Sequence, residues 1–195
     1  MSKININLKI ILNNKIKMPV IGLGTYESTH GEEVVDAVKW ALGAGYRLVD
    51  TAMVYENEEG VGKGIRESGI PREEIFVTTK LWNIDQGYQS ALKAIDVSLS
   101  KLGLSYVDLY LVHWPTADEE GKKSIDKRQG TWKAMEEIYK SGKAKAIGVS
   151  NYTITHLEEM KKYATVMPMV DQVEFHPFLY QKELLDYCKK NNIVL

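Results

Sequence analysis

Apolar positions along this chain recur with two different periods, and the switch between them divides it into elements. At the start, Ile4, Ile6, Leu8 and Ile10 alternate with polar neighbours, as do Ile16, Met18 and Val20, with Asn13-Asn14 between the two sets. A period of two marks a half-buried strand, so residues 4–18 read as a β-hairpin. A further strand ends in Gly22-Leu23-Gly24-Thr25. Beyond it, strand-like and helix-like stretches alternate. Val34, Val38, Ala41 and Leu42 share one face of a helix predicted near 32–44. Leu92, Ile95, Leu99 and Leu102 do the same near 87–102, and Trp132, Met135 and Ile138 near 129–141. Further helices are predicted near 57–68, 153–163 and 181–190, with strands at 46–50, 75–79, 106–112, 145–149 and 168–174. Gly60 and Gly64 are four apart on one helix face and predict a close helix–helix approach.

This alternation calls for an α/β fold, a parallel sheet with covering helices. A doubly wound sheet that binds a dinucleotide carries G-x-G-x-x-G after its first strand. Here Gly22-Leu23-Gly24 is followed by Thr25, Tyr26 and Glu27, and the third glycine is missing. A (β/α)8 TIM-barrel type fits better, because each strand then offers a functional group at its C-terminal end. No linker, low-complexity tract or composition shift divides the chain. Residues 1–195 therefore read as one domain, with the hairpin at 4–18, about six βα units over 19–195 and the start of a seventh strand at NNIVL. Such a barrel is incomplete at Leu195, and its open edges would expose unpaired backbone groups and apolar interior positions. Three situations are expected to account for this: a fragment of a longer protein, a truncated gene model, or a chain completed by a partner. The longest polar stretch, Asp118 to Gly130, is expected to form a mobile loop on the cleft side with solvated charges.

Composition narrows the picture without giving it a function. Hydrophobic residues make up 44% and charged residues 26%, and 25 basic against 26 acidic side chains leave a net charge of −1. That balance favours neither nucleic acid nor an anionic membrane surface as a partner. No apolar run approaches the eighteen or so residues of a membrane helix, and the alternating N-terminus lacks the continuous block of a secretory signal. The single cysteine, Cys188, cannot form an internal disulfide, which fits a reducing cytoplasm.

The candidate chemistry lies at the strand ends. Asp50, Lys80 and His113 terminate the runs YRLVD, IFVTTK and YVDLYLVH, and Tyr55 follows the first run by five residues. In a parallel barrel these ends share one rim, so an acid, a phenol, an amine and an imidazole can converge there. A phenol ordinarily ionises near 10, too high for easy proton donation at neutral pH. An ammonium about 4 Å away, at an effective dielectric of ~20, attracts a phenolate by roughly 4 kcal/mol, which caps the lowering at about three pKa units. Lys80 could supply that charge, Asp50 could keep the lysine protonated, and His113 could orient a substrate oxygen. Taken singly, each residue has a plainer reading. Tyr55 could be a packing aromatic, Asp50 and Lys80 a modest ion pair, and His113 a histidine satisfied by backbone. Glu174 and His176 end the sixth strand and, with His113, come nearest to a metal-ligand set, but no closely spaced cluster forms and no metal is expected.

Six segments in order carry a resemblance over essentially the whole length: GLGTY at 22–26, DTAMVYENEEGVG at 50–62, TTKLW at 78–82, LVHWP at 111–115, IGVSN at 147–151 and QVEFHP at 172–177. The chain resembles the aldo-keto reductases, and within them the bacterial and protozoan branch with diketogluconate reductases, glyoxal reductases and prostaglandin F synthases. The resemblance implies hydride transfer from a nicotinamide cofactor to an aldehyde or ketone, with Tyr55 as general acid, Lys80 and Asp50 as its tuning pair and His113 as orienting group. It implies NADP (NADPH) as cofactor, with NAD as the alternative. Ser150, Asn151 and Gln172 match positions that hold the nicotinamide amide, and Thr25 and Asp50 match positions near the nicotinamide and its ribose. Tyr26, Trp82 and Trp114 match the substrate pocket. A second reading of Ser150-Asn151 is a helix N-cap. The portion that would carry the cofactor's pyrophosphate and adenosine contacts lies past Leu195, so NADP and NAD are not distinguished. A rival of another class is a non-catalytic barrel acting as an interaction or assembly module through its open edge. Oligomeric state, like the physiological carbonyl, is not legible.

Overall fold

A computed structural model describes residues 5–115 and 125–195. The chain opens with a hairpin of β1 (Lys9–Ile11) and β2 (Lys17–Pro19), paired antiparallel with Ile10 opposite Met18. The strands are shorter than predicted: Ile6 and Leu8 lie outside them, and Ile4 lies outside the described residues. The turn is held by Leu12, whose amide bonds the Ile16 carbonyl at 2.9 Å and whose side chain is buried in the core. Asn13 and Asn14 reach instead to backbone carbonyls of Asn192 and Lys145, anchoring the hairpin across one end of the sheet.

The main sheet has six parallel strands in sequence order: β3 (Leu23–Gly24), β4 (Leu48–Asp50), β5 (Phe76–Leu81), β6 (Leu109–Val112), β7 (Ile147–Ser150) and β8 (Asp171–Gln172). It curls as a half-barrel. Between the strands run α1 (Glu32–Gly43), α2 (Glu58–Glu67), α3 (Tyr88–Leu102), α4 (Ile125–Ser141) and α5 (Ile154–Met160), and α6 (Lys182–Lys190) follows β8. Val194 bridges Val170 in parallel beside β8. Where β3, β8 and Val194 border the open interior, Leu23, Leu48, Leu109, Val170 and Val194 line a cavity of about 450 Å³.

The helices bury the predicted faces, Val34, Val38 and Leu42 on α1 and Trp132, Met135 and Ile138 on α4 among them. The close approach predicted from Gly60 and Gly64 joins α1 to α2. A Cβ on Gly60 would fall 2.3 Å from Val34 Cγ1, and one on Gly64 would fall 2.8 Å from the Val35 carbonyl oxygen. Gly62, between them, faces α3, and its Cβ would stand 1.9 Å from the Leu102 carbonyl oxygen. Cys188 is buried on α6, and burial followed by the nearby Asp171 pushes its thiol up to about 12.

One expectation requires correction. Residues 125–130 are the first turns of α4, not loop, while 118–124 lie outside the described residues. The charge that made the stretch look solvated is paired instead. Arg128 is buried and makes two 2.7 Å hydrogen bonds, from Nε and Nη2, to the Glu159 carboxylate on α5. A fork-to-fork pair of this kind satisfies an arginine inside a helix packing face.

Candidate active site

The parallel register places the C-terminal ends of all six strands on one rim. Gly24 pairs with Asp50, Asp50 with Thr78, Lys80 with Leu111, Val112 with Val149 and Ser150 with Gln172. Lys80 is the one charged residue on β5, a strand buried along its whole length, and its side chain is 0% exposed. An ammonium so enclosed must have its donors filled. Nζ donates to Asp50 Oδ1 at 2.5 Å, to the Thr51 carbonyl at 2.9 Å and to the Tyr55 hydroxyl at 3.3 Å. Three donors meet three acceptors, which fixes the amine in place. The other Asp50 oxygen accepts a 2.8 Å hydrogen bond from Gln172 Nε2, so the carboxylate ties β4 to β8 across the rim.

Tyr55 ends a single 3-10 turn, Met53–Tyr55, and its ring is surrounded by aromatics. The Tyr26 ring lies 5.1 Å away and the His113 ring 5.7 Å away in an edge contact, and Trp82 meets His113 at 5.1 Å. His113 is 8% exposed, and its Nδ1 is buried with no hydrogen-bond partner among the described residues. Burial, followed by the Lys80 ammonium, pushes this imidazole down to about 4, so the ring is neutral at pH 7. Tyr26, Tyr55, Trp82, His113 and Trp114 form one side of a cleft of about 910 Å³, with Ser150, Asn151, Gln172 and Glu174 on the other. Among the described residues no group of three His, Cys, Asp or Glu side chains could hold a metal ion; Glu174 and His176 pair with each other at 2.8 Å.

The N-cap reading of Ser150-Asn151 does not hold. Helix α5 takes its cap at Thr153, whose amide bonds His156 Nδ1 at 3.2 Å. Ser150 Oγ instead donates to the Gln172 carbonyl at 2.7 Å, and Asn151 Nδ2 donates to the His113 carbonyl at 2.9 Å. Asn151 adopts φ 63°, the left-handed region that an asparagine tolerates better than most residues. Among the described residues the side-chain carbonyls of Asn151 and Gln172 accept no hydrogen bond. A hydroxyl and two carboxamides that still offer acceptors suit a ligand bearing a planar amide. Thr25 is buried on the same rim just past β3, its hydroxyl 3.2 Å from the Asp50 carbonyl.

Tyr26, Tyr55, Trp82, His113, Trp114, Ser150, Asn151 and Gln172 thus line this cleft; Lys80 lies outside its lining and touches Tyr55, Asp50 lines the neighbouring cavity of about 450 Å³, and Thr25 is buried beside Asp50. Sequence reasoning missed several others. His30, Glu27, Ser28 and Val54 also line the cleft. Gln86 is buried and donates to the Trp114 carbonyl at 2.7 Å, which joins the Trp82 loop to the Trp114 loop. Asn57 is buried in a network with Thr25, Ser28 and Thr51. A polar residue at the start of α2, two positions after Tyr55, was the available signal for Asn57; nothing local marked the others.

Comparison with known proteins gives this geometry a context. Residues 20–195 match the model of the family described as the aldo/keto reductase family. The chain is 54% identical over 184 residues to the glyoxal reductase of Bacillus subtilis, covering 94% of this chain and 64% of that protein. It therefore spans less than two thirds of that curated relative's length. An aldo/keto reductase from Brucella melitensis superposes with a TM-score of 0.89 at 47% identity, over 95% of this chain and 70% of that one. An aldo-keto reductase from Bombyx mori, solved in complex with NADP, superposes at 0.88 with 38% identity, over 95% of this chain and 64% of its own.

Proposed function

The chain belongs to the aldo/keto reductase family, and we propose that it carries the proton-delivery half of a carbonyl reductase that takes hydride from NADPH and converts an aldehyde or ketone to an alcohol. The observation that carries the reading is the contact chain Asp50–Lys80–Tyr55, with 2.5 Å and 3.3 Å separations, opening on the cleft. When bound, the cofactor supplies the hydride to the carbonyl carbon. Tyr55 gives its phenolic proton to the carbonyl oxygen, and the ammonium beside it stabilises the negative charge left on the phenol oxygen. Asp50 keeps that ammonium compensated inside the strand. His113, neutral at pH 7, can donate to the carbonyl oxygen without bringing a second cation beside Lys80.

The donor set fits the nicotinamide carboxamide: Ser150 supplies a hydroxyl, and Asn151 and Gln172 supply free carbonyl acceptors for its amide hydrogens. Support for NADP comes from the Bombyx mori relative solved with it. The aromatic side of the cleft offers apolar contact at low entropic cost, which suits small or flat carbonyl substrates. The test is to mix the protein with NADPH and methylglyoxal and follow oxidation of the cofactor together with the alcohol formed. Matching stoichiometry of the two is expected. NADPH that binds and is not consumed with methylglyoxal or with a panel of aromatic aldehydes would defeat the assignment.

A further inference from the structure

Asn57 stands at the N-cap position of α2, where an asparagine side chain ordinarily accepts a hydrogen bond from the first turn of its own helix. It makes no such bond. Its side chain turns into the rim, and the residue is 1% exposed. Nδ2 donates to the Thr25 carbonyl at 2.8 Å and to the Ser28 carbonyl at 3.2 Å. Oδ1 accepts from the Thr51 hydroxyl at 2.9 Å, and the Thr25 hydroxyl, whose single hydrogen has the Asp50 carbonyl nearer at 3.2 Å, lies 3.4 Å away. Both donors of the amide are used and its oxygen is engaged.

These bonds join two loops. One follows β3 and carries Thr25 and Tyr26; the other follows β4 and carries Thr51 and Tyr55. Each loop holds a non-glycine residue in the left-handed region, Glu27 at φ 61° and Glu56 at φ 56°, the latter between Tyr55 and Asn57. Such conformations persist where surrounding bonds over-determine them. Thr51 links the amide to the catalytic chain, since its hydroxyl bonds Asn57 and its carbonyl takes a hydrogen from Lys80.

We propose that Asn57 is a positioning residue that clamps the Thr25–Tyr26 loop to the Tyr55 loop and so fixes the proton donor against the opposite wall of the cleft. The inference rests on the carbonyl-reductase reading for its kinetic consequence but not for its structural one. An amide is required here because two carbonyls must be served and a hydroxyl accepted by one short planar group. Aspartate has the same shape and can only accept, so it would set a carboxylate oxygen against the Thr25 and Ser28 carbonyls. Displacements of the order of 1 Å at a reacting centre cost up to about 10²-fold in rate.

The test is Asn57→Asp, read by amide hydrogen exchange and by steady-state kinetics well below its melting temperature. Ser28, Tyr55 and Glu56 report the clamp, because their amides close the two loops onto the Thr25, Ala52 and Met53 carbonyls. Exchange at these three should accelerate at least tenfold while Val77 and Leu111, in the sheet, stay as in the parent. Turnover number and kcat/KM should fall together by tenfold or more, leaving KM close to the parent's. Unchanged exchange at the three amides would overturn the proposal, and so would acceleration spread evenly into the sheet. If Asn57→Asp does not fold, Thr51→Val, which removes a single bond to the amide, is read by the same amides and the same criteria. A parent protein that oxidises no NADPH would defeat the reductase reading and leave the exchange result to decide the clamp.

Discussion

Asp171 offers a quantitative test of how this fold treats a buried charge. It sits on β8 next to Gln172, is 0% exposed, and among the described residues neither carboxylate oxygen has a hydrogen-bond partner. Burial dominates a weak opposing pull from the Tyr152 backbone and pushes the acid from its ordinary 3.8 up to about 7. A folded value above the unfolded one means that the native state holds the proton more tightly. The contribution to stability is fully present below pH 3.8 and is lost as pH rises through 7. Since pH 5 lies about two units below the folded value, and each unit is worth about 1.36 kcal/mol, the parent should lose on the order of 3 kcal/mol from this group between pH 5 and pH 8. Asp171→Asn replaces the acid by an isosteric neutral group and removes that loss. Urea unfolding at the two pH values, on parent and variant, measures it directly. The pH-dependent change in the parent should exceed that in the variant by on the order of 3 kcal/mol. Equal changes in the two proteins, within about 0.5 kcal/mol, would refute the assignment of a buried, unpartnered acid at this position.

His113 should behave with the opposite sign. Its folded value of about 4 lies below the ordinary 6.5, so its contribution is present above 6.5 and lost as pH falls through 4. His113→Gln should therefore spare the protein on the order of 2–3 kcal/mol of the stability lost between pH 7.5 and pH 4.5, measured by the same unfolding series. Gly62→Ala should destabilise by at least the 1–3 kcal/mol typical of overpacking, because its Cβ would overlap the Leu102 backbone at 1.9 Å. Gly24→Ala, with nothing within 4 Å of the added carbon, should leave the thermal melt close to the parent's. A Gly62→Ala melt indistinguishable from that of Gly24→Ala would contradict the packing of α2 on α3.

What could be read in the sequence follows from how local each interaction is. The six helices and the strands between them were legible because their apolar faces repeat within each element. Asp50, Lys80 and His113 stood out because a polar residue at the end of an apolar run is itself a local pattern. Arg128 was misjudged because its partner, Glu159, lies on the next helix, so the sequence shows the charge but not the compensation. The role of Asn57 was hidden for the same reason: its partners Thr25 and Ser28 precede it by about thirty positions on another loop. Asp171 gave no warning either, since the neighbours that share its buried site, Tyr152 and Cys188, are distant in sequence and its neighbour Gln172 faces the cleft. Strand lengths shrank, at the N-terminal end for 48–50 in place of 46–50 and at both ends for 171–172 in place of 168–174, because the apolar run is longer than the hydrogen-bonded ladder.

The account turns on a proton passing from the phenol held by Lys80. Tyr55→Phe removes that hydroxyl while keeping the ring that packs against Tyr26 and His113. Turnover of methylglyoxal with NADPH should fall by about 10²–10⁴-fold, with NADPH affinity, read from tryptophan fluorescence, within a few-fold of the parent. A Tyr55→Phe protein that reduces the carbonyl at the parental rate would contradict the central claim.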